Sequence, residues 1–169
     1  MNLTTDRLII KPLTVSDGDF IQELVNTEGW LKFIGNRNVN SPADAGAYIQ
    51  KILDNKNVSY WVVQLKDSMN KIGIVTYIKR DYLDHHDIGF AFLPGFAGKG
   101  YAYEATHAVL TKLVAKDKLT HILATTVPEN VSSIKLLEKL GLAFEREIEL
   151  EKEKIHVYGA ATGKLASAL

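Results

Sequence analysis

The sequence predicts an α+β fold whose sheet contains a strand, a glycine-rich loop and a helix in direct succession. Three observations support this prediction. The 169 residues are 46% hydrophobic, which suits one domain with a buried core spanning residues 1–169. Short runs of β-branched and aromatic residues recur between segments of helical spacing. The runs 58–65 and 72–78 are separated by a short, mostly polar segment, which is typical of an antiparallel hairpin.

The predicted elements follow in order along the chain. Strand 7–13 is rich in Leu and Ile; a helix then opens at Ser16, whose side chain can cap exposed amides, and a second helix opens at Ser41-Pro42. Downstream we expect strands 58–65, 72–78 and 87–93, helix 100–116, strand 121–127, helix 128–140 and a terminal hairpin of strands 142–150 and 155–162. Gly141 suits the position after a helix because it tolerates a positive φ.

The charge balance and the cysteine content exclude several functional classes. Twenty basic and twenty acidic residues give a net charge of zero, so we expect neither nucleic acid nor membrane as a partner. The chain has no cysteine, which excludes disulfides, thiolate metal sites and a cysteine nucleophile. The sequence also lacks an uncharged run that could cross a bilayer. These features predict a cytoplasmic protein, and a homodimer is compatible with them.

The segment 88–102 runs from a strand through Gly95, Gly98 and Gly100 directly into a helix. Such a junction binds anions, because free first-turn amides and the helix dipole both face the loop. The alternative is that the glycines only make a tight turn. Neither common phosphate motif fits: Lys99 is followed by Gly100 where a Walker loop needs Ser or Thr, and Tyr103 stands where a dinucleotide fingerprint needs a small residue.

The segment 97–102 resembles the acyl-coenzyme A loop of the GCN5-related N-acetyltransferase (GNAT) family, whose pattern is Gln or Arg, two residues, Gly, one residue, then Gly or Ala. Ala97 departs from that pattern at its first position. The segments 5–13 and 130–141 are similar to the branch that acetylates ribosomal protein N-termini, the RimJ/RimL-like enzymes.

The resemblance implies the GNAT fold: a mixed, mostly antiparallel sheet of about seven strands, helices on both faces, and a splayed parallel pair at its centre. The pair would be strands 87–93 and 121–127, with acetyl-CoA as co-substrate between them. Backbone groups near Phe92 and Leu93 would bind the pantetheine arm. The residues expected to hold the pyrophosphate through their amides are Gly98, Lys99, Gly100, Tyr101 and Ala102.

The same resemblance assigns roles on the late helix. Asn130 matches an asparagine that touches the cofactor arm, and Ser133, one turn later, could protonate the departing thiolate. Many family members carry a tyrosine acid where this chain has Leu137. The alternative is that Asn130 and Ser133 only cap the helix start.

Candidate bases are Asp87, at the start of its strand, and Glu149 or Glu151, on a late strand where the related branch carries a catalytic glutamate. Strand alternation predicts that four glutamates share one face, namely Glu145, Glu147, Glu149 and Glu151. Such a face could bind a cationic substrate or simply be solvated. His85 and His86 are adjacent and lack a third ligand at suitable spacing, so we expect no metal site.

Trp30 and Phe33 follow the first helix, where the family shapes its acceptor groove; the alternative is that they belong to the core. The resemblance implies transfer of acetyl from acetyl-CoA to a primary amine by direct attack. We expect a peptide α-amine, because its reference pKa of about 7.7–8.0 lies well below the ~10.4 of lysine. The alternatives are a small-molecule amine as acceptor, or a non-catalytic acyl-CoA-binding sensor.

Overall fold

A computed structural model describes residues 1–116 and 118–169. The strands are β1 (Leu3–Thr4), β2 (Leu8–Pro12), β3 (Val58–Leu65), β4 (Lys71–Ile78), β5 (Asp87–Phe92), β6 (His121–Thr126), β7 (Ala143–Leu150) and β8 (Glu153–Ala161). The helices are α1 (Gly18–Val25), α2 (Glu28–Phe33), α3 (Pro42–Leu53), α4 (Tyr101–Val114), α5 (Val131–Lys139) and α6 (Thr162–Ala168).

Three of these elements were not predicted, and all three are short. Strand β1 has two residues and is held by pairing with β2. Helix α2 has six residues and begins after Thr27, whose side chain accepts a hydrogen bond from the Trp30 amide at 3.3 Å. Helix α6 has seven residues. Because each is at most about two turns or one strand pair long, none leaves a clear periodic signal in the sequence.

The strands form one sheet in the order β1-β2-β3-β4-β5-β6-β8-β7, one strand more than the predicted seven within the described residues. All neighbours are antiparallel except β5 and β6. One face packs against α4, α5 and α6 through the largest hydrophobic cluster. The opposite face packs against α1, α2 and α3 through a second cluster. The predicted mixed sheet with helices on both faces is therefore confirmed.

The parallel pair β5 and β6 is splayed. In the part of the chain that the structure describes, the two strands share one register pair, Asp87 opposite Leu123, where the Leu123 amide donates to the His86 carbonyl at 3.0 Å. Each strand is fully paired on its outer side, β5 with β4 and β6 with β8. The strands consequently part toward their carboxyl ends, as predicted, and leave a gap in the middle of the sheet.

Candidate active site

A cavity of about 590 Å³ passes through the gap between β5 and β6. It is lined from both faces of the sheet. Asp87 pairs with Ile78 on β4, and Ile78 shares a face of that strand with Thr76 and Ile74. Because Ile74 belongs to the cluster beneath α1–α3, the Asp87 side chain is also on the α1–α3 face. Asn130 and Ser133 line the cavity from α5, on the opposite face. Two ligands can therefore reach the gap from opposite sides of one sheet.

The glycine loop ends at α4 with unpaired amides. The Ala97 amide donates to the Pro94 carbonyl at 3.2 Å, and the Glu104 amide donates to the Gly100 carbonyl at 3.0 Å. Between them, the amides of residues 98–103 have no protein acceptor among the described residues. Gly98 and Gly100 adopt φ values of +75° and +81°, which favour glycine. The loop that was predicted to bind an anion thus presents consecutive free N–H groups at the start of a 14-residue helix.

The backbone of β5 offers a second set of free groups. The Leu93 amide donates to the Ile72 carbonyl at 2.8 Å, so the backbone of Leu93 hydrogen-bonds on the side of β4. Because the edges alternate along an antiparallel strand, the N–H and C=O groups of Phe90 and Phe92 face the gap. Of the two predicted pantetheine partners, Phe92 has a backbone edge on the gap and Leu93 does not. Phe90 was not singled out from the sequence, because strand register alone decides which residues face the gap.

Asn130 and Ser133 lie together at the start of α5. The Asn130 Oδ1 accepts from the Ser133 amide at 3.4 Å, which is the capping arrangement offered above as the alternative. Capping and lining the cavity coexist here. The Ser133 hydroxyl has no hydrogen-bond partner within the described residues. Leu137, one turn further, is 1% exposed and belongs to the main core while also lining the cavity.

Asp87 is a buried carboxylate whose two oxygens differ in their hydrogen bonding. It is 2% exposed. Its Oδ2 accepts from Arg80 Nε at 2.7 Å and from Thr125 Oγ1 at 3.1 Å. Its Oδ1 is buried without a hydrogen-bond partner among the described residues. Burial raises the pKa of the Asp87 carboxyl, and the opposing effects of Arg80 and Thr125 do not reverse that shift. The free oxygen can accept a hydrogen bond or a proton from a ligand.

The predicted row of four glutamates on one face is wrong, because the pairing of β7 and β8 shifts register between Phe144 and Arg146. Glu145 contacts His121 at 2.5 Å, whereas Glu147 contacts His156 at 2.9 Å. On β6, Thr126 pairs with His156 and is five residues from His121. Strand side chains five residues apart lie on opposite faces, so His121 and His156 are on opposite faces of the sheet. The bulge places Glu145 on the face opposite Glu147.

The two hairpin glutamates predicted as bases occupy different surroundings. Glu149 is exposed on the edge strand, opposite Lys154, and is absent from the cavity lining. Glu151 is also exposed, adopts φ +49° in the β7–β8 turn and lines the cavity with Glu153. The structure therefore brings Asp87 and Glu151 to the cavity and leaves Glu149 outside it.

Trp30 and Phe33 line the α1–α3 side of the cavity. Trp30 is 5% exposed and packs in the second hydrophobic cluster, so it is both a core residue and a cavity wall. The Arg37 guanidinium lies 6.0 Å from its ring. Sequence reasoning missed the lining residues Arg37, Tyr60 and Arg80, which come from separate elements and carry no shared motif.

Among residues 1–116 and 118–169, no three histidine, aspartate or glutamate side chains are grouped so that they could bind a metal. In the same residues, no helix combines the length and the apolar character needed to span a membrane.

The mixed sheet with its splayed parallel pair, followed by the glycine loop and α4, is the arrangement that the GNAT resemblance implied. Comparison with protein families supports this assignment. The acetyltransferase (GNAT) domain family matches residues 7–143. The chain therefore belongs to the GNAT family and is an acetyl-CoA-dependent N-acyltransferase, as the resemblance implied.

Individual relatives agree with this family. The chain is 33% identical over 149 residues to the uncharacterized N-acetyltransferase YnaD of Bacillus subtilis (strain 168), covering 86% of this chain and 84% of the relative. Ribosomal-protein-S5-alanine acetyltransferase from Vibrio fischeri superposes with a TM-score of 0.82 at 19% identity, covering 96% and 97%. Spermidine N-acetyltransferase from Vibrio cholerae, in complex with CoA and spermine, superposes with a TM-score of 0.81 at 20% identity, covering 95% and 99%. At such identities the two structures show a shared fold.

Proposed function

We propose that this protein transfers the acetyl group of acetyl-CoA to a primary amine by direct attack, and that the acceptor is the α-amine of a peptide. The proposal rests on the cavity that opens to both faces of the sheet at the β5–β6 gap. The donor would approach from the α4 and α5 side and the acceptor from the α1–α3 side. No covalent enzyme intermediate is needed when both reach the same gap.

On the donor side, the free amides of residues 98–102 would hold the diphosphate of acetyl-CoA. The backbone edges of Phe90 and Phe92 would pair with the amides of the pantetheine arm, much as a neighbouring strand would. A main-chain N–H on β5 would then polarise the thioester carbonyl as its oxygen gains charge. Each of these contacts uses the backbone, so side-chain departures such as Ala97 leave them in place.

On the acceptor side, the proposed base is Asp87, whose Oδ1 is buried where the two strands part and has no hydrogen-bond partner among the described residues. The neutral amine nitrogen would attack the thioester carbon, forming the C–N bond and breaking the C–S bond. Asp87 would accept the proton lost by the amine. Ser133, on the other face, would donate a proton to the departing thiolate sulfur.

A peptide α-amine fits this machinery better than a lysine side chain. Its reference pKa lies ~2.5 units lower, so less free energy is needed to reach the neutral form. The segments 5–13 and 130–141 are similar to the branch that acetylates protein N-termini, which supports the same choice. Trp30 and Phe33 would contact the first residues of the peptide.

A small polyamine is the second candidate acceptor. Glu151 and Glu153 line the cavity at its hairpin end and could hold a second cationic nitrogen while Asp87 faces the first. Asp87 is already paired with Arg80, and Arg37 also lines the acceptor side, so the cavity is not uniformly acidic. This balance of charges ranks the polyamine below the peptide.

The test is the release of CoA thiol from acetyl-CoA in the presence of a panel of amines. The panel contains peptides with a free α-amine, the same peptides acetylated at the N-terminus but carrying lysine, spermidine, aminoglycosides and free amino acids. We expect the highest kcat/KM with the free α-amine and no turnover with the blocked peptides. Turnover with polyamines alone would support the second candidate. No release of CoA thiol with any amine of the panel would contradict acetyl transfer and support an acyl-CoA sensor.

A further inference from the structure

Arg7, in the turn between β1 and β2, binds the loop and the helix that follow β5 about ninety residues later in the chain. Its Nη1 donates to the Lys99 carbonyl at 2.9 Å. Its Nε and Nη2 contact Glu104 Oε2 at 2.7 Å and 2.6 Å. Its guanidinium carbon also lies 4.4 Å from the centre of the Tyr101 ring. One side chain therefore contacts three positions of the loop and the first turn of α4.

The other oxygen of Glu104 also accepts two hydrogen bonds. Glu104 Oε1 accepts from Thr5 Oγ1 at 2.6 Å and from the Arg7 amide at 3.0 Å. Burial by itself would raise the pKa of Glu104, but the hydrogen bonds from Thr5 and Arg7 and the charge of Arg7 outweigh it and lower that pKa. Glu104 thus stays ionised at neutral pH, and both of its oxygens are bound to the β1–β2 turn.

The contact with Lys99 fixes the direction of a loop amide. The Lys99 carbonyl and the Gly100 amide belong to one peptide plane, and in a trans peptide these groups point to opposite sides. When Arg7 holds the carbonyl, it turns the Gly100 N–H away from itself and toward the open side of the loop. Gly100 has φ +81°, and a Cβ there would lie 3.4 Å from Arg7 Nη2, so the guanidinium is seated directly against this glycine.

We propose that Arg7 is a positioning residue for the diphosphate of acetyl-CoA, acting through Glu104 and the Lys99 carbonyl to preset the amides of residues 98–102. This rests on the diphosphate site proposed above. Preset donors bind more tightly because the loop loses less conformational freedom when the ligand arrives. The alternative role for this side chain, which is 46% exposed, is direct attraction of the diphosphate by charge. The two roles make opposite predictions for Glu104.

The experiment compares acetyl-CoA with S-acetylpantetheine, which carries the same thioester without the diphosphate. Both R7Q and R7K are expected to lower kcat/KM for acetyl-CoA by about tenfold or more, mainly through KM, since a charge-assisted hydrogen bond is lost in each. Lysine keeps the charge but cannot bond Glu104 and Lys99 at once. The same variants are expected to leave kcat/KM for S-acetylpantetheine unchanged. R146Q, which removes an exposed arginine beside Glu145, is the matched control and should behave as wild type with both substrates.

Glu104→Gln separates positioning from attraction. Loss of the ion pair should raise KM for acetyl-CoA if Arg7 acts by positioning, whereas removal of a nearby negative charge should lower KM if attraction dominates. Wild-type behaviour of R7K, a lowered KM in E104Q, or an equal loss with S-acetylpantetheine would each overturn the proposal. The variant Gly100→Glu tests the diphosphate site itself. If G100E abolishes binding while the Arg7 variants remain normal, the site stands and only the role of Arg7 fails.

Discussion

The loop before α4 and the hairpin of β7 and β8 both carry groups that the sequence pointed to, but the groups differ in kind. The loop would act through backbone amides, and its glycines adopt φ values near +80° where those amides have no acceptor among the described residues. The hairpin would act through glutamate side chains, and one bulge moves Glu145 to the face opposite Glu147. The free amides of a glycine loop can therefore be predicted from local sequence, whereas the face of a strand side chain depends on register.

The largest effect is expected from Gly100→Glu in the loop. The substitution places a carboxylate beside the proposed diphosphate site, at a backbone conformation that strains any residue with a Cβ. We expect loss of measurable acetyl-CoA binding by calorimetry while the folded state persists in thermal unfolding. The matched control is Gly163→Glu, which puts the same side chain in the first turn of α6, at a glycine with open space around it.

A second variant separates strain from charge at this position. Asparagine tolerates the left-handed conformation, so Gly100→Asn should retain more binding than Gly100→Glu. Wild-type affinity of G100E for acetyl-CoA would remove the loop from the site, and with it the contrast between loop and hairpin.

A smaller but still large effect is expected at Asp87, compared with the hairpin glutamates. Asp87→Asn should lower kcat by about 10²-fold or more if the carboxylate accepts the amine proton. Glu149→Gln should leave kcat unchanged, because Glu149 is exposed and outside the cavity. Glu151→Gln, at the cavity but exposed, should change KM for the acceptor more than kcat. A larger loss of kcat in E151Q than in D87N would transfer the role of base to the hairpin.

The pH profile provides an independent check on Asp87. Its pKa is raised above the ordinary 3.8 by burial, so the active carboxylate form is lost at a higher pH than for an exposed aspartate as the solution is acidified. The amine must also be neutral, so log kcat/KM should fall with slope 1 below the amine pKa and steepen to 2 below that of Asp87. In D87N the slope should remain 1. An unchanged second limb in D87N would contradict the assignment.

The smallest effect is expected on α5, where two adjacent serines allow a matched comparison. Ser133→Ala should lower kcat by about tenfold, with KM for acetyl-CoA unchanged, because a thiolate is a good leaving group and needs only modest help from an acid. Ser132→Ala is the control, since Ser132 is exposed and its Oγ lies 3.4 Å from Asn130 Oδ1. Equal activity of S133A and wild type would remove Ser133 as the acid.

For the longer elements, most of the predicted ends lie within about two residues of the observed ends. Strand β3 was predicted at its observed bounds, and β5 and β6 each ended one residue early relative to prediction. Helix α5 begins at Val131, three residues later than predicted, because Asn130 is its capping residue. The elements that were missed are short, and contacts with the rest of the fold hold them in place.

Local sequence by itself determined the α+β order of elements and the position of the glycine loop before α4. Both depend on residues that are neighbours in the chain, where spacing and backbone preference are sufficient. The splayed parallel pair was expected only from the family resemblance, because it joins residues as far apart as Asp87 and Leu123. Tertiary structure alone decided which backbone edges of β5 face the gap, on which face each glutamate lies, and that Asp87 is buried beside Arg80. It also brought Arg7 to Lys99 and Glu104. These features depend on strand register and on contacts between distant segments, and a one-residue shift in pairing reverses the face of every side chain that follows it.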